Sequence, residues 1–234
     1  MTRGLFDDEE PVPYAAPELI APGAVLLRGF ASGTAEALWL AAEQVIACAP
    51  LRHLVTPGAR VMSVSMTNCG DRGWVSDLTG YRYVPVDPLF GQPWPAMPVC
   101  FVDVAVQAAA QAGYFNFKPD ACLINRYERG ARLSLHQDKD EADMREPIVS
   151  VSLGLPAVFL FGSLRRADRP ERYRLIHGDV VVWGGASRLA FHGVAPLAEG
   201  EHLRLGRQRI NLTFRCAGPV PAVPAPSSSP ARQK

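Results

Sequence analysis

Ala121-Cys122-Leu123-Ile124-Asn125-Arg126-Tyr127 opens the part of the chain that decides its fold. From Asp120 onward the sequence breaks into short apolar, β-branched or alternating runs separated by glycine and proline. They lie at 121–127, 133–137, 148–153, 158–161, 173–176, 180–183, 189–192 and 210–214. Eight short strands at that spacing predict a sandwich or a jelly roll. Toward the amino terminus the texture is different. Ala24 to Leu27 is a short apolar run, and Leu38, Ala42, Val45, Ile46 and Ala49 then recur at helical spacing behind Ser32, a candidate cap. Phe101, Ala105, Ala108 and Ala112 repeat the pattern up to Gly113, a residue that tolerates the left-handed conformation closing a helix. The expected class is α+β, mainly β, with the helices packed on one outer face.

The ends read differently from the middle. Residues 1–22 are acidic and interrupted by Pro11, Pro13, Pro17 and Pro22, so they form a flexible arm with no core of its own. Residues 218–234, GPVPAVPAPSSSPARQK, are rich in proline and serine and read as a disordered tail. One domain over 23–217 is expected, and no internal repeat divides it.

Net charge is +1, which excludes the global basic field that dominates non-specific nucleic-acid binding. A nucleic-acid partner would need a local basic face. Arg165, Arg166, Arg169, Arg172 and Arg174 supply one candidate, although charge runs usually belong to solvated loops. The five cysteines are odd in number, widely spaced and without C-x-x-C, against a disulfide framework or a zinc ribbon and in keeping with a reducing cytoplasm. There is no signal-peptide pattern and no run of about 18 apolar residues to span a membrane. With no coiled-coil pattern either, a cytoplasmic monomer is expected.

In Leu133-Ser134-Leu135-His136-Gln137-Asp138, His136 and Asp138 are two apart, so a strand sends both side chains to one face and Gln137 to the other. Two histidines and one carboxylate on one face of a metal, with the remaining positions open, are the facial triad of non-heme iron(II) oxygenases. The second histidine is His192, which ends the apolar run Leu189-Ala190-Phe191; His53, His177 and His202 lie in turn-like or charged surroundings. Further on, alternation in Arg209-Ile210-Asn211-Leu212-Thr213-Phe214-Arg215 sends Arg209, Asn211, Thr213 and Arg215 to one face. In an ordinary sandwich that face would meet water; inside a barrel it would line a pocket with two guanidinium forks suited to carboxylates. Asn125 and Tyr127 share a face in the same way and add an amide and a hydroxyl. A dicarboxylate beside an iron triad points to 2-oxoglutarate.

These motifs resemble the AlkB family of 2-oxoglutarate- and iron-dependent nucleic-acid dealkylases. The resemblance is carried by Asn125-Arg126-Tyr127, His136-Gln137-Asp138-Lys139-Asp140, the distant His192 and R-x-N-x-T-F-R from Arg209 to Arg215. Pro95-Ala96-Met97-Pro98, the Trp74 loop and Val149 to Gly154 extend it over about residues 23–215. The family implies a double-stranded β-helix, that is, a jelly roll, with iron(II) held by His136, Asp138 and His192. It implies that Arg209 pairs with the distal carboxylate of 2-oxoglutarate, that Tyr127 supports it, and that Asn125 and Arg215 contact the chelating end. Arg126 and Asn211, inside the same motifs, join that cosubstrate set.

The implied reaction is oxidative demethylation. With O2, 2-oxoglutarate is split to succinate and carbon dioxide, an N-methyl group is hydroxylated, and the hemiaminal releases formaldehyde. Trp74, Tyr81, Arg82 and Tyr83 lie in a glycine-punctuated stretch, and the resemblance makes about 55–90 a nucleotide-recognition lid with Trp74 stacking on an unstacked base. It also implies contacts to the base from Asp140 and Arg166. The expected partners are alkylated DNA, single-stranded or duplex, and RNA. Two rival readings use the same residues differently: an iron oxygenase acting on a protein or small molecule, and a catalytically silent nucleic-acid-binding module.

Overall fold

The computed structural model describes residues 16–218. In chain order these form β1 (Glu18–Ala21), β2 (Ala24–Leu27), α1 (Ala35–Cys48), β3 (Arg52–Val55), β4 (Val61–Gly70), β5 (Gly73–Asp77) and β6 (Gly80–Val84). There follow α2 (Val99–Gln111), β7 (Ala121–Tyr127), β8 (Leu133–His136), β9 (Ile148–Gly154), β10 (Ala157–Phe161), β11 (Glu171–Leu175), β12 (Val180–Trp183), β13 (His192–Val194) and β14 (Arg209–Arg215).

Eight strands pair in the order β1-β2-β12-β9-β14-β7-β4-β3, and four in the order β11-β10-β13-β8. These two antiparallel sheets face one another as a jelly roll. Alternation along the central strands builds two cores. One face of the major sheet sends Ile124, Val149, Val151, Val182, Ile210, Leu212 and Phe214 against Leu38 and Ala42 of α1 and Phe101 and Ala105 of α2. Phe101 meets Phe214 edge-on, with ring centroids 5.7 Å apart. The other face sends Leu26, Met66, Leu123, Tyr127, Val181 and Trp183 toward Phe159, Phe161, Leu175 and Val194 of the minor sheet. The helices therefore lie on one outer face, as their spacing predicts, and α2 is closed at Gly113 with φ +88°.

Strands β7 and β12 coincide with the runs that predict them, and β14 extends its run by one residue at each end. Other elements depart from expectation. Part of the expected arm, Glu18–Ala21, is an edge strand paired with β2; residues 1–15 and the tail 219–234 lie outside the described residues. Ser32 does not cap α1: a short 3₁₀ turn, Ser32–Thr34, precedes it and no side chain bonds its first turn. The run 189–192 is not a strand. Leu189, Ala190 and Phe191 follow a 3₁₀ turn at Gly185–Ser187, held by the Ala190 amide donating to Ser187 O (2.9 Å), and pairing begins only at His192. Within 52–84 four strands form; β4 joins the major sheet beside β7, so only the β5–β6 hairpin stands apart from the two sheets.

Candidate active site: a metal centre beside a desolvated arginine

β13 pairs with β8 so that His192 lies directly opposite His136, which sets the two imidazoles 4.4 Å apart between centroids. Gly193 makes this approach possible, because a Cβ there would sit 2.7 Å from Leu133 O. Asp138 follows just past the end of β8. Its Oδ1 is 3.6 Å from His136 Nε2 and its Oδ2 3.7 Å from His192 Nε2. Ligand atoms of the three residues all lie within 4.8 Å of one another. Each ring is oriented by its other nitrogen: His136 Nδ1 donates to Ser134 O (2.8 Å) and His192 Nδ1 to Ala190 O (3.0 Å). A carbonyl only accepts, so each ring carries a proton on Nδ1 and turns Nε2 toward Asp138, as metal-binding histidines do. Burial and the neighbouring His136 push the His192 pKa down to about 4, which keeps it an unprotonated ligand.

Asp138 is clamped from behind. Arg215, at the end of β14, donates to its Oδ2 from Nε (3.0 Å) and Nη2 (2.6 Å). Burial alone would raise the Asp138 pKa, but the Arg215 charge and the two imidazoles overcome it and hold the carboxyl well below the usual range. Arg215 also lies 3.3 Å from the carboxylate of Glu141. Glu141 is buried and accepts from Arg188 Nη2 (3.0 Å) and from the Tyr83 hydroxyl (2.8 Å), while Arg188 Nη1 donates to Asp138 O (2.7 Å). These charge-assisted bonds fix the irregular segment after β8.

At the other end of β14 the same face is built in the opposite way. Arg209 is 1% exposed, and its Nη2 donates to Ser152 Oγ (3.0 Å), but its Nε and Nη1 have no partner among the described residues. Its guanidinium lies 4.9 Å from the centroid of the Tyr127 ring. Buried and equally unpaired on the neighbouring β7 are Tyr127 Oη and Asn125 Oδ1. Burial lowers the Arg209 pKa and raises that of Tyr127 to about 12, so the phenol stays a donor. Unmade hydrogen bonds at buried donors cost roughly 1–3 kcal/mol each, more for a charged group, and a cluster of them marks a receptor for an external group. Two guanidinium donors and a phenol suit a carboxylate. Asn211 serves this wall rather than opening onto it: it donates to Ser150 Oγ (2.8 Å) and Val151 O (2.9 Å) and accepts from Thr213 (3.0 Å).

The β5–β6 hairpin presents Trp74, Tyr81 and Tyr83 on one face, since Trp74 is paired with Tyr83 and Ser76 with Tyr81. Trp74 and Tyr81 stack, with centroids 5.5 Å apart and planes at 11°. Trp74 Nε1 donates to Asp140 (2.8 Å) and Tyr83 to Glu141, so the aromatic face is tied to the segment that carries Asp138. Asn68 fixes the hairpin's root by exchanging two hydrogen bonds of 3.0 Å with the Trp74 backbone.

Of the residues selected from sequence, His136, Asp138 and His192 converge, as do Asn125, Tyr127, Asn211 and Arg209, with Arg215 on the metal carboxylate. Trp74, Tyr81, Tyr83 and Asp140 gather beside them. Arg126 does not join: it follows Asn125 and precedes Tyr127, so alternation turns it to the opposite face of β7, where its Nη2 lies 3.8 Å from Glu128. Arg82 likewise leaves the far face of the hairpin and grips Asp77 with bonds of 2.7 and 3.0 Å. Arg166 is exposed on the β10–β11 loop with its guanidinium 5.8 Å from the Phe191 ring centroid, next to the metal strand. Sequence reasoning missed Glu141, Arg188 and Ser152. Glu141 is the residue after Asp140, but the absence of a strand there removes the periodicity that would give its direction.

Fold and site together define a 2-oxoglutarate- and Fe(II)-dependent oxygenase, and the family model described as the 2OG-Fe(II) oxygenase superfamily matches residues 23–215. An alpha-ketoglutarate-dependent dioxygenase AlkB of Salmonella typhimurium is 57% identical over 213 residues, 91% of this chain and 97% of that one. Its counterpart in Escherichia coli is 56% identical over 214 residues, 92% and 97% of the two chains. The solved structure of OsALKBH1 superposes with a TM-score of 0.71 at 30% identity, covering 85% of this chain and 99% of that one. Within the superfamily, the chain belongs to the AlkB family. Its cofactors are Fe(II), 2-oxoglutarate and O2. Among the described residues, no helix is long and apolar enough to cross a membrane.

Proposed function

We propose that the protein oxidatively dealkylates N-alkylated bases, such as 1-methyladenine and 3-methylcytosine, in DNA and also in RNA. The observation that carries this reading is the stacked Trp74–Tyr81 face bonded through Trp74 to the exposed carboxylate of Asp140, two residues beyond a metal ligand. A flat face receives an unstacked base, and a nearby carboxylate favours a base that alkylation has made cationic over its neutral parent.

His136, Asp138 and His192 hold the iron, and Arg209, Tyr127 and Asn125 hold 2-oxoglutarate. Bound together with O2, these supply the oxidation that hydroxylates the N-alkyl carbon while 2-oxoglutarate becomes succinate and carbon dioxide. Arg215 holds Asp138 ionised and fixes its direction, and the carbonyls of Ser134 and Ala190 orient the imidazoles of His136 and His192 with Nε2 toward Asp138. Trp74 and Tyr81 position the base, and Asp140 selects its charge. The hydroxylated alkyl group then leaves as an aldehyde, formaldehyde from a methyl. The five free cysteines support a reducing compartment, and we assign the protein to the cytoplasm as a monomer with a domain over 23–217 and a lid centred on the β5–β6 hairpin.

The test is anaerobically purified protein given iron(II), 2-oxoglutarate, ascorbate and oxygen with an oligonucleotide carrying 1-methyladenine or 3-methylcytosine. The expected result is formaldehyde release with restoration of the base. Succinate without base restoration would favour an oxygenase acting on a protein or small molecule. His136→Ala should abolish turnover while leaving the melting temperature within a few degrees, as a mass-spectrometric base assay and thermal unfolding would show.

A further inference from the structure

The arginine run singled out in the sequence is not used by the site just described. Between Leu164 and Arg174 five arginines stand against two carboxylates, Asp168 and Glu171, a surplus of three in a chain whose net charge is only +1. The fold turns this run into an ordered surface. Tyr173 and Leu175 of β11 face inward: Leu175 is buried, and the Tyr173 hydroxyl donates to Ile20 O (3.3 Å). Alternation therefore sends Arg172 and Arg174 outward on an edge strand, about 6.8 Å apart along it, and both are exposed. Arg165 is neutralised by Asp168 at 2.9 Å, but Arg169, Arg172 and Arg174 have no carboxylate partner among the described residues.

The register also fixes where this ribbon starts. Glu171 pairs with Phe161, and Phe161 with His192, so the Arg172 end of β11 is level with the metal along the strands and two strand spacings, roughly 10 Å, to its side, with Arg172 and Arg174 on the outer face of the minor sheet. The β10–β11 loop bridges the gap, carrying Arg166 against Phe191 and then Arg169. Exposed guanidinium groups spaced along a strand and its loop beside the site, without a carboxylate partner among the described residues, match the repeating charge of a polyanion's backbone. We propose that Arg169, Arg172 and Arg174 form a phosphate ribbon that grips the backbone of a nucleic-acid substrate flanking the base held in the site. This rests on the nucleic-acid reading above and adds to it a surface for length-dependent affinity, supplied locally where the net charge supplies nothing.

The test compares wild type with Arg172→Gln/Arg174→Gln and with Arg204→Gln/Arg207→Gln, a pair of likewise exposed arginines already matched to Glu36 and Glu199. All three proteins are given a lesion-bearing single strand of about 25 nucleotides, over a range of salt, and a trinucleotide with the same lesion. The β11 variant should weaken binding of the long strand severalfold and reduce the slope of log affinity against log salt by about 1.4, two phosphate contacts' worth. Its trinucleotide turnover should match wild type, and the control pair should bind the long strand as wild type does. Equal loss in both double variants would reduce the effect to net charge and overturn the ribbon, as would an unchanged slope in the β11 variant. Failure of wild type to act on either oligonucleotide would instead remove the nucleic-acid reading beneath it.

Discussion

Arg209 and Arg215 stand at the two ends of one strand, on one face, both buried, and their surroundings are opposites. Arg215 meets two carboxylates, and although burial works against its charge, Asp138, Tyr83 and Glu141 hold its pKa above the ordinary value. Among the described residues Arg209 meets no carboxylate and its Nε and Nη1 are unbonded, and burial lowers its pKa. A buried ion pair is close to neutral for stability, whereas a buried charge without its partner is costly. The difference therefore separates two roles: one arginine is satisfied by the fold, and the other keeps open donors, as the proposed 2-oxoglutarate site requires.

The sharpest way to break this comparison is to remove each cation in turn. Arg209→Met should raise the KM for 2-oxoglutarate by about a hundredfold or more, the loss expected when a charged hydrogen-bonded partner of a carboxylate is removed. The metal-free variant should unfold no more easily than wild type. Arg215→Met should do the reverse to stability, costing roughly 3–5 kcal/mol in urea unfolding because it strands the buried carboxylate of Asp138 and leaves Glu141 with Arg188 alone as its cation. Equal destabilisation in the two variants would contradict the distinction.

Acid offers a milder probe. His192 and His177 have folded pKa values near 4, each because burial disfavours the charged ring, against an ordinary value of 6.5. The unfolded chain therefore takes up these protons first. Stability of the metal-free protein should be full above about pH 6.5 and decline as pH falls toward 4, measured by urea unfolding at fixed ionic strength. The smallest effect is expected from Tyr83→Phe, which removes one hydrogen bond between hairpin and Glu141: about 1 kcal/mol of stability, with 2-oxoglutarate affinity unchanged.

Much of this contrast was legible in the sequence. Strict alternation in β14 put both arginines on one face, and the two-residue spacing of His136 and Asp138 set their common direction. Asn125-Arg126-Tyr127 misleads as a block, because period two sends Arg126 to the far side of the strand. His192 does gather with His136 and Asp138, but the run Leu189–Phe191 that reads as its strand conceals a tight turn behind apolar side chains. Hidden altogether was the role split between the two arginines. It depends on Glu141 and Arg188, which reach Arg215 and Asp138 through irregular backbone and tertiary approach, and on Arg209 meeting the hydroxyl of Ser152 where Arg215 meets carboxylates. Periodicity reports a side chain's face, not whether another part of the chain satisfies it.

The central claim, that the open donors of Arg209 receive the distal carboxylate of the cosubstrate, is tested most directly by anaerobic calorimetry. 2-Oxoglutarate and 2-oxobutyrate, which lacks that carboxylate, would be titrated into iron-loaded wild type and Arg209→Gln. Wild type should bind 2-oxoglutarate at one site and at least a hundredfold more tightly than 2-oxobutyrate, and Arg209→Gln should lose that preference while binding 2-oxobutyrate as wild type does. A variant that kept the full preference would place the distal carboxylate elsewhere and contradict the account.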